Sequence, residues 1–143
     1  MQLKDKHKAI IQDHYRHPRH KESFSEEEQD AVMDNPSCGD RVSLKIIIEN
    51  EQIQKLSFDG EGCSLCMASA SILTDMMIGK TVKEAITTSS EVLDIFNGKV
   101  PAEDLEKQGE IGAFQALIEY PVRLKCATLA WETMKQLLEK RLS

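Results

Sequence analysis

The spacing of apolar positions changes several times along this chain, and each change marks an element. Leu3, His7, Ile10, Ile11 and His14 recur at helical spacing, which predicts a short amphipathic helix stopped by Pro18. The polar, acidic stretch from Lys21 to Asp30 reads as a mobile loop, with a short edge strand over Gln29 to Asp34. From Arg41 to Asn50 the period becomes two, with Val42, Leu44, Ile46 and Ile48 alternating with Ser43, Lys45, Ile47 and Glu49. Asn50-Glu51 makes a turn. A second run then sets Ile53, Lys55, Ser57 and Asp59 against Gln54, Leu56 and Phe58. Together the two runs predict an antiparallel hairpin with one mostly apolar face.

The Gly60-Glu61-Gly62 corner leads into a helix that begins near Cys63, is lined by Met67, Ala70, Leu73 and Met77, and closes at Gly79. Its cluster Ala68-Ser69-Ala70-Ser71 is small enough for a neighbouring element to come close. Two short helices are expected around Val82 to Ile86 and Ser90 to Phe96. A turn or two follows over Pro101 to Lys107, then a helical stretch over Ala113 to Tyr120 that stops at Pro121. The last helix carries an unbroken stripe of Ala127, Ala130, Trp131, Met134, Leu137 and Leu138, with Cys126 near its start. Hairpin and helices together predict an α+β fold: a small antiparallel sheet of about three strands packed on one side by helices, as a single domain over residues 1–143.

Charge narrows the function classes. A net charge of −6 lacks the basic stripe that nucleic acid requires, yet leaves a basic protein partner open. No apolar run approaches the roughly 18 residues of a membrane span. The charged start Met1-Gln2-Leu3-Lys4-Asp5-Lys6 has no apolar run behind it, so a cytoplasmic setting is expected. There the four cysteines are read as reduced thiols or metal ligands rather than disulfides.

Those cysteines lie in three separate places. Cys38 sits in Asn35-Pro36-Ser37-Cys38-Gly39-Asp40, Cys63 and Cys66 in Gly62-Cys63-Ser64-Leu65-Cys66, and Cys126 follows Arg123-Leu124-Lys125. Cys38 and Asp40, two apart in a Gly-containing loop, have the spacing to face one centre. Cys63 stands at a helix start, where backbone amides favour negative charge. The basic neighbours of Cys126 favour its thiolate. Zinc in structural sites takes four ligands, mostly Cys and His, which makes Cys38, Asp40, Cys63, Cys66 and Cys126 the candidates. Cys66, on the first helical turn, also reads simply as a small buried apolar residue. A redox reading of Cys63-x-x-Cys66 needs a βαβ unit, and the preceding element here is a hairpin arm. His14, His17 and His20 are interrupted by Pro18 and mixed with Arg16 and Arg19, which reads as a solvated basic turn.

The stretches Asn35 to Asp40, Gly60 to Cys63 with Ala68-Ser69-Ala70-Ser71 behind, and Pro121 to Trp131 resemble the IscU-type iron–sulfur scaffold proteins over nearly the whole chain. The segment from Asn97 to Gly112, and Lys125 where IscU proteins carry histidine, make the chain similar to the SufU branch. That resemblance implies zinc held by Cys38, Asp40, Cys63 and Cys126. It implies a SufS-type cysteine desulfurase as partner, with downstream cluster-assembly proteins after it. Cys38 matches the persulfide acceptor, released when a partner residue displaces it from zinc, and Arg123 is an orienting or docking residue. The expected role is a sulfur-transfer accessory and co-substrate of the desulfurase, as a monomer or weak dimer, rather than an independent enzyme. Two other readings share the ligands: iron in a [2Fe–2S] cluster built and transferred on the same cysteines, and a purely structural zinc adaptor.

Overall fold

The computed structural model describes residues 3–142; Met1 and Gln2, part of the charged start, and Ser143 lie outside the described residues. Helix α1 (Asp5–Arg16) is followed by strands β1 (Ala31–Asn35), β2 (Asp40–Glu49) and β3 (Gln52–Glu61). Helices α2 (Ser64–Met77) and α3 (Val82–Phe96) come next, then two 3-10 segments (Ala102–Gln108 and Glu110–Glu119) and α4 (Pro121–Leu142). The strands form one antiparallel sheet in the order β1-β2-β3. Helix α4 packs on β1 and β2, and α2 packs on β3 and on α4. Trp131, Phe58, Phe96 and Phe114, all fully buried, fill the space between.

The hairpin contains a feature its apolar pattern conceals. Ile53, Leu56 and Phe58 are all buried, although 53 and 56 have opposite parity. A β-bulge reconciles them: Ile47 pairs with Lys55 and Ile48 with Ile53, which leaves Gln54 as the extra residue. Asn50 and Glu51 both take positive φ, 52° and 65°, as a two-residue hairpin turn with the twist of its strands requires.

Other departures have local causes. The expected pair of short helices is the single helix α3. Its apolar stripe of Val82, Ala85, Val92, Leu93 and Phe96 runs through the low-propensity Thr87-Thr88-Ser89-Ser90 without a break. Its start is fixed by a capping box: the Glu84 amide donates to the Thr81 hydroxyl at 3.1 Å, and the Thr81 amide donates to Glu84 Oε1 at 2.9 Å. The stretch before Pro121 stops there as expected, and Pro121 also starts α4, because a proline at the first helical position sacrifices no hydrogen bond. The preceding stretch is 3-10 rather than α-helical.

The stretch 21–30 contains no helix or strand, but both its ends are tied. The Phe58 amide donates to His20 O at 3.0 Å, and the Glu22 amide donates to Phe58 O at 3.1 Å. At the other end the Asp30 carboxylate accepts from the Ile46 amide at 2.8 Å and from Arg141 at 3.0 Å. His14 does not lie on a solvated turn. It is fully buried on α1, between the Ser71 hydroxyl at 2.7 Å and Glu110 Oε1 at 3.2 Å. One face of α1 thereby holds both α2 and the 3-10 segments, with His7 bonded to Glu106 at 2.6 Å two turns earlier.

Replacing Thr81 by Ala removes the cap and is expected to cost about 1 kcal/mol. Urea denaturation checks this: a lower midpoint with an unchanged slope is the expected result.

Candidate metal centre

Three elements converge where β2 begins. Asn35 pairs with Asp40, so residues 36–39 form the loop that joins β1 to β2. The Cys38 and Gly39 amides donate to Asn35 O at 3.2 and 2.9 Å, and Gly39 at φ 70° supplies the left-handed residue that turns the chain. This lifts Cys38 onto the exposed tip while Asp40, the first residue of β2, is 1% exposed.

The Asp40 carboxylate is held on one side only. Its Oδ1 accepts the Cys63 amide at 3.0 Å, which ties the strand to the N-cap of α2. Its Oδ2 is buried and has no hydrogen-bond partner. Gly62 makes this approach possible: a Cβ there would stand 2.5 Å from Asp40 Oδ1. Cys126, the sixth residue of α4 and 4% exposed, completes the group from the opposite side. Its thiol lies 3.6 Å from Cys38 Sγ, and the ligand atoms of Cys38, Asp40 and Cys126 all fall within 4.8 Å of one another.

The arrangement suits a metal ion. A buried carboxylate oxygen without a donor is costly unless a cation meets it. Two thiolates on a tetrahedral ion, each about 2.3 Å from it, stand roughly 3.8 Å apart, close to the separation seen here. Sulfur ligands with one carboxylate favour zinc or iron over the hard ions magnesium and calcium.

Electrostatics separates the cysteines. Burial, reinforced by contacts with Asp40, Cys38 and Cys63, holds the Cys126 thiol well above the usual cysteine range. This reverses the expectation that its basic neighbours favour the thiolate: Arg123 and Lys125 are exposed, and Cys126 faces inward. Burial, and then the negative neighbours Asp40, Cys63 and Cys38, likewise push the Cys66 thiol up. Cys66 is fully buried in the core, as its apolar reading expected, and lies outside the group of three. Cys63 is exposed and also lies outside that group, although it contacts Cys126 and its amide holds Asp40. Arg123 stands exposed on the first turn of α4.

Comparison with known proteins gives the family of the chain. Residues 6–137 match the NifU-like N terminal domain family. The chain belongs to that family. It is 35% identical over 133 residues to the zinc-dependent sulfurtransferase SufU of Bacillus subtilis, covering 91% of this chain and 87% of that one. It is 33% identical over 135 residues to the iron–sulfur cluster assembly scaffold protein IscU of Streptococcus pyogenes, covering 92% and 82%. A crystal structure of a proposed SUF-system scaffold, SufU from Fervidobacterium islandicum, superposes with a TM-score of 0.76 at 29% identity, covering 90% of this chain and 93% of that one. The NifU-like fold thus shares its three-stranded sheet and helices with an experimentally determined relative. Among the described residues no helix is long and apolar enough to cross a membrane.

Two contributors to this NifU-like site carry no chemistry of their own and were not singled out in the sequence. Gly62 makes the space for Asp40, and the Gly60-Glu61-Gly62 corner was its only signal. The Ser69 hydroxyl binds α4 one residue beyond Cys126, at the Ala127 carbonyl, and the small-residue cluster was its only signal.

The raised Cys126 thiol sets a pH dependence. Near neutral pH the metal-free group carries a proton that a bound metal must displace, so higher pH favours the bound form. Zinc affinity is expected to tighten about tenfold per pH unit for each proton released, between pH 6 and 8. Competition with a chromophoric chelator measures it, and an affinity flat across that range would contradict a buried, protonated Cys126.

Proposed function

We propose that the protein is a zinc-dependent sulfur acceptor in iron–sulfur cluster assembly. In this reading it takes sulfur as a persulfide from a SufS-type, pyridoxal-phosphate-dependent cysteine desulfurase and passes it to downstream assembly proteins. The observation that carries the reading is an asymmetry within one group: Cys38 is exposed on a turn, whereas Asp40 and Cys126 are buried. The reading draws support from the zinc-dependent sulfurtransferase at 35% identity. Cys38, Asp40, Cys63 and Cys126 are the proposed ligands. Cys63 joins the other three because its amide already holds Asp40 and it contacts Cys126.

When bound, zinc supplies the positive charge that keeps these thiols deprotonated and holds three chain segments together. The chain's own residues then divide the work. Asp40 and Cys126, anchored in β2 and α4, stay in place. Cys38 and Cys63 are both exposed, but Cys38 rides on a loop held by two backbone hydrogen bonds whereas Cys63 is fixed at the N-cap of α2, so Cys38 is the sulfur a partner can reorient. Its thiolate attacks the outer sulfur of the desulfurase persulfide. A new S–S bond forms on Cys38, the S–S bond of the desulfurase breaks, and the electron pair leaves on the desulfurase cysteine. Arg123, exposed three residues before Cys126 on α4 and so just under one turn away, can meet an acidic group on that partner. The chain acts as one domain, monomeric or weakly dimeric, in the reducing cytoplasm that keeps its thiols free.

A scaffold reading, in which the same cysteines assemble and transfer a [2Fe–2S] cluster, draws on the scaffold relative at 33% identity. Anaerobic reconstitution with iron and sulfide separates the two, since only a scaffold yields a stable, transferable cluster.

Cys38→Ala is expected to abolish stimulation of the desulfurase. In the unaltered protein, incubation with desulfurase and cysteine adds one reducible sulfur, mapped to Cys38 by intact-protein and peptide mass spectrometry. Stimulation that survives Cys38→Ala would overturn the assignment of the acceptor.

A further inference from the structure

The metal ligands come from segments far apart in sequence, and both sides of the group are referenced to α2. At its N-terminus, the Cys63 amide holds Asp40. Six residues along, Ser69 holds α4: its hydroxyl donates to the Ala127 carbonyl at 2.6 Å and accepts from Trp131 Nε1 at 3.2 Å. Ser69, Ala127 and Trp131 are all fully buried. A hydroxyl with both its donor and its acceptor capacity used on one neighbouring helix fixes that helix in translation as well as in rotation. Side-chain packing alone leaves sliding along the helix axis less constrained. The small neighbours Ala68 and Ala70, also fully buried, let the two backbones come close enough for so short a side chain to reach.

We propose that Ser69 is a positioning residue of the metal centre: through Ala127 and Trp131 it sets where along α4 the Cys126 sulfur stands relative to Cys38 and Asp40. This rests on the reading of the group as a zinc site. Ser69 touches no ligand atom. It acts on the peptide next to Cys126, as hydrogen-bonded partners behind metal ligands do elsewhere.

The same helix supplies an internal control. Ser71, two residues on and equally buried, binds His14 and the Arg19 amide on the α1 side and makes no bond to α4. Removing either hydroxyl leaves buried partners unsatisfied and lowers stability. Only removal of the Ser69 hydroxyl frees the register of α4.

The test uses the full chain and zinc alone, with affinity read by chelator competition. Ser69→Ala is expected to weaken zinc about tenfold or more, whereas Ser71→Ala leaves it within about twofold while still lowering the thermal midpoint. Equal zinc affinity in Ser69→Ala and the unaltered protein, or an equal loss in Ser71→Ala, would overturn the positioning role. Failure of the unaltered protein to bind zinc would instead sink the metal reading on which the role rests. Should Ser69→Ala fail to fold, Trp131→Phe takes its place. It deletes one of the two bonds by which Ser69 holds α4 and keeps the other, so zinc is expected to bind about threefold or more weakly, and an affinity equal to that of the unaltered protein would overturn the role.

Discussion

The constraint on which this molecule turns is the carboxylate of Asp40, buried with one oxygen satisfied and the other not. An isolated buried carboxylate oxygen is among the costlier groups a fold can hold. Here it is held deliberately, because the surrounding backbone is shaped to bring it inward. Gly62 leaves it room, and the Cys63 amide fixes its direction. Asn35, its cross-strand partner, has a side-chain Nδ2 that also lacks an acceptor, yet the two do not bond to each other. The open oxygen suits a cation at that position.

Around it, the cysteines are graded by the elements that carry them. Cys38 rides on a four-residue loop, Cys63 caps a helix, and Cys126 lies within one. Cys38 and Cys63 are exposed and Cys126 is buried, so one site combines sulfurs a partner can reach with one anchored in the core. Neither an all-helix nor an all-loop site offers the same division. The position of the group at a corner of the sheet follows from topology: β2 begins there, and β3 ends beside it with Arg41 paired to Glu61.

Much of this was legible in the sequence, for identifiable reasons. Period-two alternation located the hairpin, and the α4 stripe located the long helix, because both patterns report burial directly. The alternation did not announce the bulge at Gln54, although apolar residues at 53, 56 and 58 cannot share one face of a regular strand. Propensity misled at α3, where a continuous buried stripe and a capping box outweigh four weak helix formers. At Pro121 the expected stop is observed, and the same proline also opens α4 at its first helical position, earlier than the stripe from Ala127 indicated. His14 looked solvated because its partners, Ser71 and Glu110, lie 57 and 96 residues away. The candidate ligands were visible as residue types, and the fold brings Cys38, Asp40 and Cys126 together. The basic residues beside Cys126 misled about its thiol because side-chain direction, which sends Cys126 inward and Lys125 outward, is a property of the packed helix.

Metal and fold are coupled unevenly in consequence. Cys38 and Cys126 are 88 residues apart, so a metal bridging them closes a long loop and constrains the unfolded chain. Trp131, Phe58 and Phe96 are fully buried, so sheet and helices are also held by a packed core. A metal at the proposed site would add local terms: relief of the open Asp40 oxygen, deprotonation of Cys126, and capture of the loop bearing Cys38. An exposed Cys38 beside buried partners suits the sulfur transfer proposed for it.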